Sequence, residues 1–387
     1  MSNIDLTPSI RRRYRAEQRF KVYCMSAVAF ALLFLAFFFI DLVSRGWPAL
    51  EQAQLQTEVS YSETVKAGHY RKAIDKSLQK IASRGWLRTL PLYLRQHPDR
   101  VGDKEVMWIT ADASVDQYLK GHQSNLKEKQ RKLVDRLYSE GRIRLGFNWD
   151  FFTRGDSKLP ELAGIHSAIV GTVYVLFLTM IFALPIGVMT AIYLEEFAPD
   201  NRLIRMIEVN INNLAAIPSI MFGLLGLAIF INFFGVPRSS ALVGGLTLSL
   251  MTLPVIIISA RAALKAVPDS IREGALGVGA SPWQALWYHI LPVAMPGILT
   301  GSIIGLAQAM GETAPLIIVG MLAYIPDEPS SVFEATTVLP AQIFTWAGEP
   351  LRAYAERTAA GILVLLAVLL SLNGLAIWLR RRFERSW

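Results

Sequence analysis

Six stretches of the chain are almost purely apolar: 22–43, 165–194, 211–234, 241–264, 295–323 and 358–379. Each is long enough for the roughly 20 residues with which an α-helix crosses the hydrocarbon core of a bilayer. A long polar stretch, 44–160, separates the first from the second; the other interruptions are short. The pattern predicts an all-α polytopic membrane protein of six transmembrane helices, with a small, mainly helical extracytoplasmic domain between helices 1 and 2. The divisions that follow are a basic tail at 1–21, helix 1 at 22–43, the inserted domain at 44–160 and helices 2–5 within 161–325. A polar loop at 265–294 interrupts that third block. An outer loop at 326–357, helix 6 at 358–379 and a second basic tail at 380–387 complete the chain.

Charge orients these spans. Arg11, Arg12, Arg13, Arg15, Arg19 and Lys21 precede the first, and Arg380, Arg381, Arg382 and Arg385 follow the last. Arg202, Arg205, Arg261, Lys265 and Arg272 flank the loops that alternation puts on that same side. Cytoplasmic loops carry an excess of Lys and Arg, so both termini are expected in the cytoplasm of a multi-pass bacterial inner membrane protein. The first run is too long for a signal peptide, and Asp41-Leu42-Val43-Ser44-Arg45 does not suit a cleavage site. The stretch 44–160 is also basic, but long domains translocate regardless of charge. Helix-like patterns at 62–83 and 115–140, the latter with Leu119, Leu126, Leu133 and Leu137 on one side, and a strand pattern at 105–110 suggest a folded unit. Trp86, Leu90, Leu92, Tyr93, Trp108 and Tyr118 supply its core; a solvated insert is the alternative.

Hydrophobic residues make up 52% of the chain, and mean hydropathy is +0.35. The net charge of +8 sits beside the apolar runs and in the outer stretch, which points to membrane lipid and not to nucleic acid. One cysteine, Cys24, excludes an internal disulfide framework and a cysteine metal site. There is no G-x-x-x-x-G-K-[ST], no H-E-x-x-H, no G-x-S-x-G and no carboxylate cluster with metal spacing. His69, His97, His122, His166 and His289 stand apart from one another in sequence. No catalytic, cofactor-binding or metal-binding residue is therefore assigned, and the chain is not expected to be an enzyme.

The loop at 265–294 has the punctuation of two short helices. Ser270 can cap the first, which turns Ile271, Ala275 and Leu276 to one face, and Gly279 suits its C-terminal end. Ser281 and Pro282 suit the start of the second. Such a knob is either an amphipathic linker on the membrane surface or a docking element for the groove of a soluble partner. The residues Glu273-Gly274-Ala275, Gly279, His289 and Leu291-Pro292 resemble the signature of ABC-importer permeases, Glu-Ala-Ala, three residues, Gly, nine residues, Ile, one residue, Leu-Pro. Gly274 and His289 depart from it, while the spacing is kept. The resemblance implies that Arg272, Glu273, Gly274, Ala275, Gly279, Leu291 and Pro292 dock a cytoplasmic ATPase.

Further residues narrow the resemblance to the A-type permease subunit of phosphate importers. They are Gly301 to Ala307, Gly311-Glu312-Thr313-Ala314-Pro315-Leu316, Ile217 to Gly223, Gly164-Ile165, Gly171-Thr172 and Leu339 to Phe344. The similarity covers roughly 150–387 and the first span, not the bulk of the outer stretch. It implies the type I importer permease fold, a related second permease as heterodimer partner, a cytoplasmic ATPase dimer and an extracytoplasmic phosphate-binding protein. Many members carry Arg four residues before the intramembrane Glu, where this chain has Gln308. Glu312, Thr313, Gln308 and Ser219 are the expected pathway or gate residues, because an ionisable group within a span is costly and by default functional. A permease for another oxyanion and a membrane-anchored sensor of phosphate status are the alternatives. The sensor leaves the docking motif without a purpose.

Overall fold

The computed structural model describes residues 8–383; Arg385 and the rest of the two outermost tails lie outside the described residues. The first helix, α1 (Pro8–Gly46), continues the apolar run into the basic tail without a break. At about 1.5 Å per residue it is longer than a hydrocarbon core is thick, so its basic turns lie beyond the membrane. Its apolar stretch is only 6% buried. It meets the rest of the chain near Gly46, where a Cβ would come within 2.8 Å of Leu363.

The inserted unit follows. β1 (Glu51–Ser60) is the centre of a three-stranded antiparallel sheet, with β2 (Lys104–Thr110) and β3 (Ile143–Phe147) on either side. Leu55 pairs with both Ile109 and Ile143, and all three are buried. Helices α2 (Arg84–Gln96), α3 (Ala113–Leu119) and α4 (Glu128–Ser139) enclose a core of Val59, Leu87, Leu94, Val115, Val134 and Leu137. The strand at 105–110 is found as expected, but two further strands join it. The expected helix at 115–140 is two helices, because Gly121 takes φ +76° between them. The stretch 62–83 is no single helix either; it holds short turns at Glu63–Lys66 and Tyr70–Ala73. Leu92, assigned to the core, is 61% exposed.

A short helix, α5 (Trp149–Thr153), leads into the bundle. The long helices are α6 (His166–Ile192), which continues to Phe197, α9 (Ala241–Lys265), α11 (Pro282–Gly311) and α14 (Arg352–Phe383). Between them lie α7 (Arg202–Ala215), α8 (Ser219–Gly226, continuing to Phe233), α10 (Asp269–Gly277), α12 (Ala314–Ile318) and α13 (Leu339–Ala347). Glycines let backbones approach where α6 runs parallel to α9 and where α11 runs antiparallel to it. Gly187 of α6 lies against Ile256 of α9, and Gly297 and Gly301 of α11 lie against Ala263 and Ser259 of α9. These pairings set the inserted unit and α10 at opposite ends of the bundle.

Two of the six expected spans are not straight. The run 211–234 bends by 103° between α7 and α8. Pro218 lacks an N–H, and its ring opposes the carbonyl four residues earlier, so the helix stops before it. The run 295–323 breaks at Glu312, whose backbone is extended at φ −80° and ψ 122°. Pro315 has the same relation to Gly311. Among the described residues, five helices are thus long and apolar enough to span a membrane, and six if the bent pair counts as one.

Candidate functional site

The loop between α9 and α11 is built as a compact knob. α10 starts directly after Pro268, so Ser270 lies within its first turn and caps nothing, contrary to the sequence expectation. Its far end closes as expected: Gly279 takes φ +88°, and the Gly279 and Ala280 amides donate to the Leu276 and Ala275 carbonyls. Ser281 then caps α11 through a capping box with Gln284. The second helix of the loop is not separate. It runs through a wider π-type turn at Leu286–Ile290 straight into the span. That turn lies where Pro292 would otherwise press on the Tyr288 carbonyl.

The knob has an outer and an inner face. Glu273, Gly274 and Gly279 are exposed, and nothing lies within 4 Å of a Cβ added at either glycine. Val278 is 86% exposed, and Trp283 and Trp287 stack with ring centroids 5.5 Å apart, both open to solvent. Ala275, by contrast, packs inward at 7% exposure. Leu291 and Pro292 are half-buried within α11, away from the knob. Arg272 also turns inward. Its Nη2 lies 2.7 Å from Glu196 Oε1 and donates to the Leu264 carbonyl at 3.0 Å, while Nη1 lies 3.1 Å from Asp269 Oδ1. Glu196 bonding holds the Arg272 guanidinium above its ordinary value.

A second arginine sits beside it. Arg261 Nη2 lies 2.6 Å from Glu208 Oε1 on α7 and 3.4 Å from Glu195 Oε2 at the end of α6. The sequence marks Arg261 only as a topology signal and Arg272 as both a topology signal and an ATPase-docking residue, and it leaves their acids unassigned. The available signal was the pair Glu195-Glu196 closing an apolar run, opposite basic residues at two other helix ends.

The residues expected on the pathway gather at the two helix breaks. Glu312 and Thr313 occupy the interruption between α11 and α12; both are half-buried, and Gln308 one turn earlier is exposed. Ser219 is the first residue of α8. Gly223, one turn on, lies so close to α12 that a Cβ there would come within 2.7 Å of Pro315 Cα. The structure therefore joins the two breaks through the Gly223–Pro315 contact. Glu312 forms no ion pair among the described residues.

At the other end of the bundle, polar contacts fasten the inserted unit down. Gln117 Nε2 donates to Glu356 Oε1 at 2.7 Å, and Lys120 Nζ lies 3.2 Å from Glu356 Oε2 and 2.6 Å from Asp116. Arg357 donates to the Ala163 carbonyl at 2.8 Å, and Trp346 Nε1 donates to Asp156 Oδ1 at 2.9 Å. Burial pushes the Asp116, Asp156 and Glu161 carboxyls above the usual range, with the Lys120 ammonium opposing this at Asp116. Phe151, Ala163, Ile165, Leu339 and Trp346 form an apolar core shared between unit and bundle.

Comparison with known proteins places these features in context. Residues 183–386 match the family described as binding-protein-dependent transport system inner membrane component. Residues 7–71 match a domain of unknown function. The phosphate transport system permease protein PstA 1 of Mycobacterium tuberculosis is 32% identical over 235 residues, 60% of this chain and 75% of the relative. The probable ABC transporter permease protein YqgI of Bacillus subtilis is 29% identical over 245 residues, 60% of this chain and 83% of the relative. The phosphate transport system permease protein PstC of Pasteurella multocida is 32% identical over 223 residues, 51% of this chain and 68% of the relative.

Proposed function

Because the chain belongs to the family of binding-protein-dependent transport system inner membrane components, we propose that it is a transmembrane permease subunit of an ATP-driven importer of inorganic phosphate. The observation that carries the substrate is the similarity to permeases of phosphate transport systems over 60% of the chain. In this reading the chain forms half of the pathway and a related second permease the other half. An ATPase dimer docks on the exposed face of α10, and a phosphate-binding protein delivers cargo at the opposite end, beside the inserted unit. The helix directions support this arrangement, since the start of α1 and the end of α14 point to the α10 end of the bundle. Radiolabelled phosphate uptake in cells with and without the chain tests it. Uptake is expected to be lost with the chain and restored by returning it; uptake that does not change overturns the assignment.

Glu312 acts in this reading on the helices, not on the cargo. An ionised carboxylate repels phosphate, and a charge at a half-buried break within a span is stabilised by a cation. Gln308 offers none, so the partner permease supplies it across the interface. Glu312 is then a gate held by an interchain pair, with Thr313, Gln308 and Ser219 as neutral polar contacts along the path. Glu312→Gln is expected to assemble normally and to alter transport or uncouple ATP hydrolysis. Failure to assemble would make Glu312 a structural residue instead.

A further inference from the structure

The two arginines beside the docking knob make contacts that neither an ATPase contact nor a topology signal requires. Arg272 joins α10 to Glu196 at the end of α6 and to the last turn of α9 through the Leu264 carbonyl. Arg261, on α9, joins Glu195 at the same end of α6 to Glu208 on α7. The acids are adjacent in sequence, so the two guanidinium groups grip one short segment from two directions. These side chains are largely shielded: 25% exposed for each arginine, 17% for Glu195, 12% for Glu196 and 29% for Glu208. Breaking a shielded pair leaves a charge without its partner, unlike breaking an exposed surface pair.

The chain beyond Glu208 gives the grip a direction. α7 passes through the bend at Pro218 into α8, and α8 presses Gly223 onto Pro315 beside the Glu312 break. α10 is thus linked by charge to the end of α6, and the end of α6, through Arg261, to α7, whose continuation touches the gate. We propose that Arg272 and Arg261 are positioning residues forming a latch, through which displacement of α10 by the ATPase is passed to α6 and α7 and on to the α8–α12 contact. The latch rests on the importer reading given above. Arg272 acts through Glu196, and docking itself is left to the outer face of Glu273, Gly274 and Gly279.

The test uses the complete complex, with ATPase and binding protein, in proteoliposomes. Phosphate moved per ATP hydrolysed is measured for the wild type, Arg272→Ala, Glu196→Ala and the double variant, together with the amount of ATPase that copurifies. Each single variant is expected to keep its ATPase and to lose about tenfold in phosphate moved per ATP. The double variant is expected to lose about the same tenfold, because residues acting as one unit are not additive. Arg272→Lys, which keeps the charge, is expected to recover part of the loss. A hundredfold loss in the double variant, or unchanged transport in the singles, overturns the latch. So does ATPase lost from Arg272→Ala but kept by Glu196→Ala, which would make Arg272 a docking contact. If Arg272→Ala fails to insert, Glu196→Gln, which leaves the arginine and its carbonyl bonds in place, carries the same expectation. A wild-type complex that hydrolyses ATP but moves no phosphate would sink the substrate assignment alone; the latch is then read from ATP hydrolysis stimulated by the binding protein.

Discussion

Two glycines of the docking knob, five residues apart and alike in the open space around them, differ in what they permit. Gly274 lies inside α10 with open space around it, so Gly274→Ala adds a methyl group that meets nothing and gains about 1 kcal/mol of helix propensity. Gly279 is equally open but holds φ +88°, where an L side chain costs about 1–2 kcal/mol. Gly279→Ala is therefore expected to loosen the turn and weaken ATPase copurification, while Gly274→Ala preserves or strengthens it. Loss of ATPase in Gly274→Ala would show instead that the partner needs bare backbone there. The Gly279 turn and the Ser281 cap were legible in the sequence because each is a local signal. The Arg272–Glu196 pair was not, because its members lie on different helices and only tertiary packing brings them together. Asp156 gives a residue-scale prediction of another kind. Burial raises its carboxyl although Trp346 donates to it. An acid whose folded pKa exceeds its unfolded one loses stability as pH rises through the window between them, and the deficit is complete above the folded value. Asp156→Asn keeps an acceptor for the indole and removes the charge. Its melting temperature is expected to gain a few degrees on the wild type at pH 8, with the gain shrinking toward pH 4. A gap that stays constant, or widens in acid, would contradict this.

The elements show why apolar runs report spans but not their shape. Hydropathy marks 211–234 and 295–323 as continuous, and both contain a helix break. Proline alone could not have located those breaks, since Pro185, Pro254 and Pro296 lie inside α6, α9 and α11 without stopping them. At Pro218 and Pro315 the adjoining segments turn away and pack on each other, so tertiary contact decides which proline ends a helix. In the inserted unit, β1 escaped notice because Ala53, Leu55, Thr57 and Val59 alternate with Gln and Glu, a weaker period-two signal than the leucines of the neighbouring helices. The α8–α12 contact is where the two breaks depend on each other. Gly223→Val would drive branched carbon into Pro315 backbone, which cannot retreat as a flexible side chain can. The variant is expected to insert, because α8 keeps its apolar length, but to lose at least tenfold in transport with the ATPase still attached. Wild-type transport by Gly223→Val would show that the contact lies off the mechanism.

At the scale of the whole molecule, the inserted unit is both a folded body and part of the bundle's upper wall. Its own core closes around the sheet, yet Glu356 and Arg357 in the first turns of α14 find partners in Lys120, Gln117 and the Ala163 carbonyl. Shielded charges of this kind cost several kcal/mol when one partner is removed. Deleting 50–145 therefore does more than remove an optional domain, because it strips Lys120 and Gln117 from Glu356 while leaving that carboxylate on α14. The deletion is expected to lower the amount of chain stably inserted in the membrane, and Glu356→Gln in the same background to recover much of it, since the amide needs no counter-charge. Transport measured in that repaired background then reports what the unit contributes to phosphate delivery, separated from its grip on α14. Should the plain deletion insert as well as the full chain, the clamp is dispensable and the charges at the top of α14 are satisfied by water.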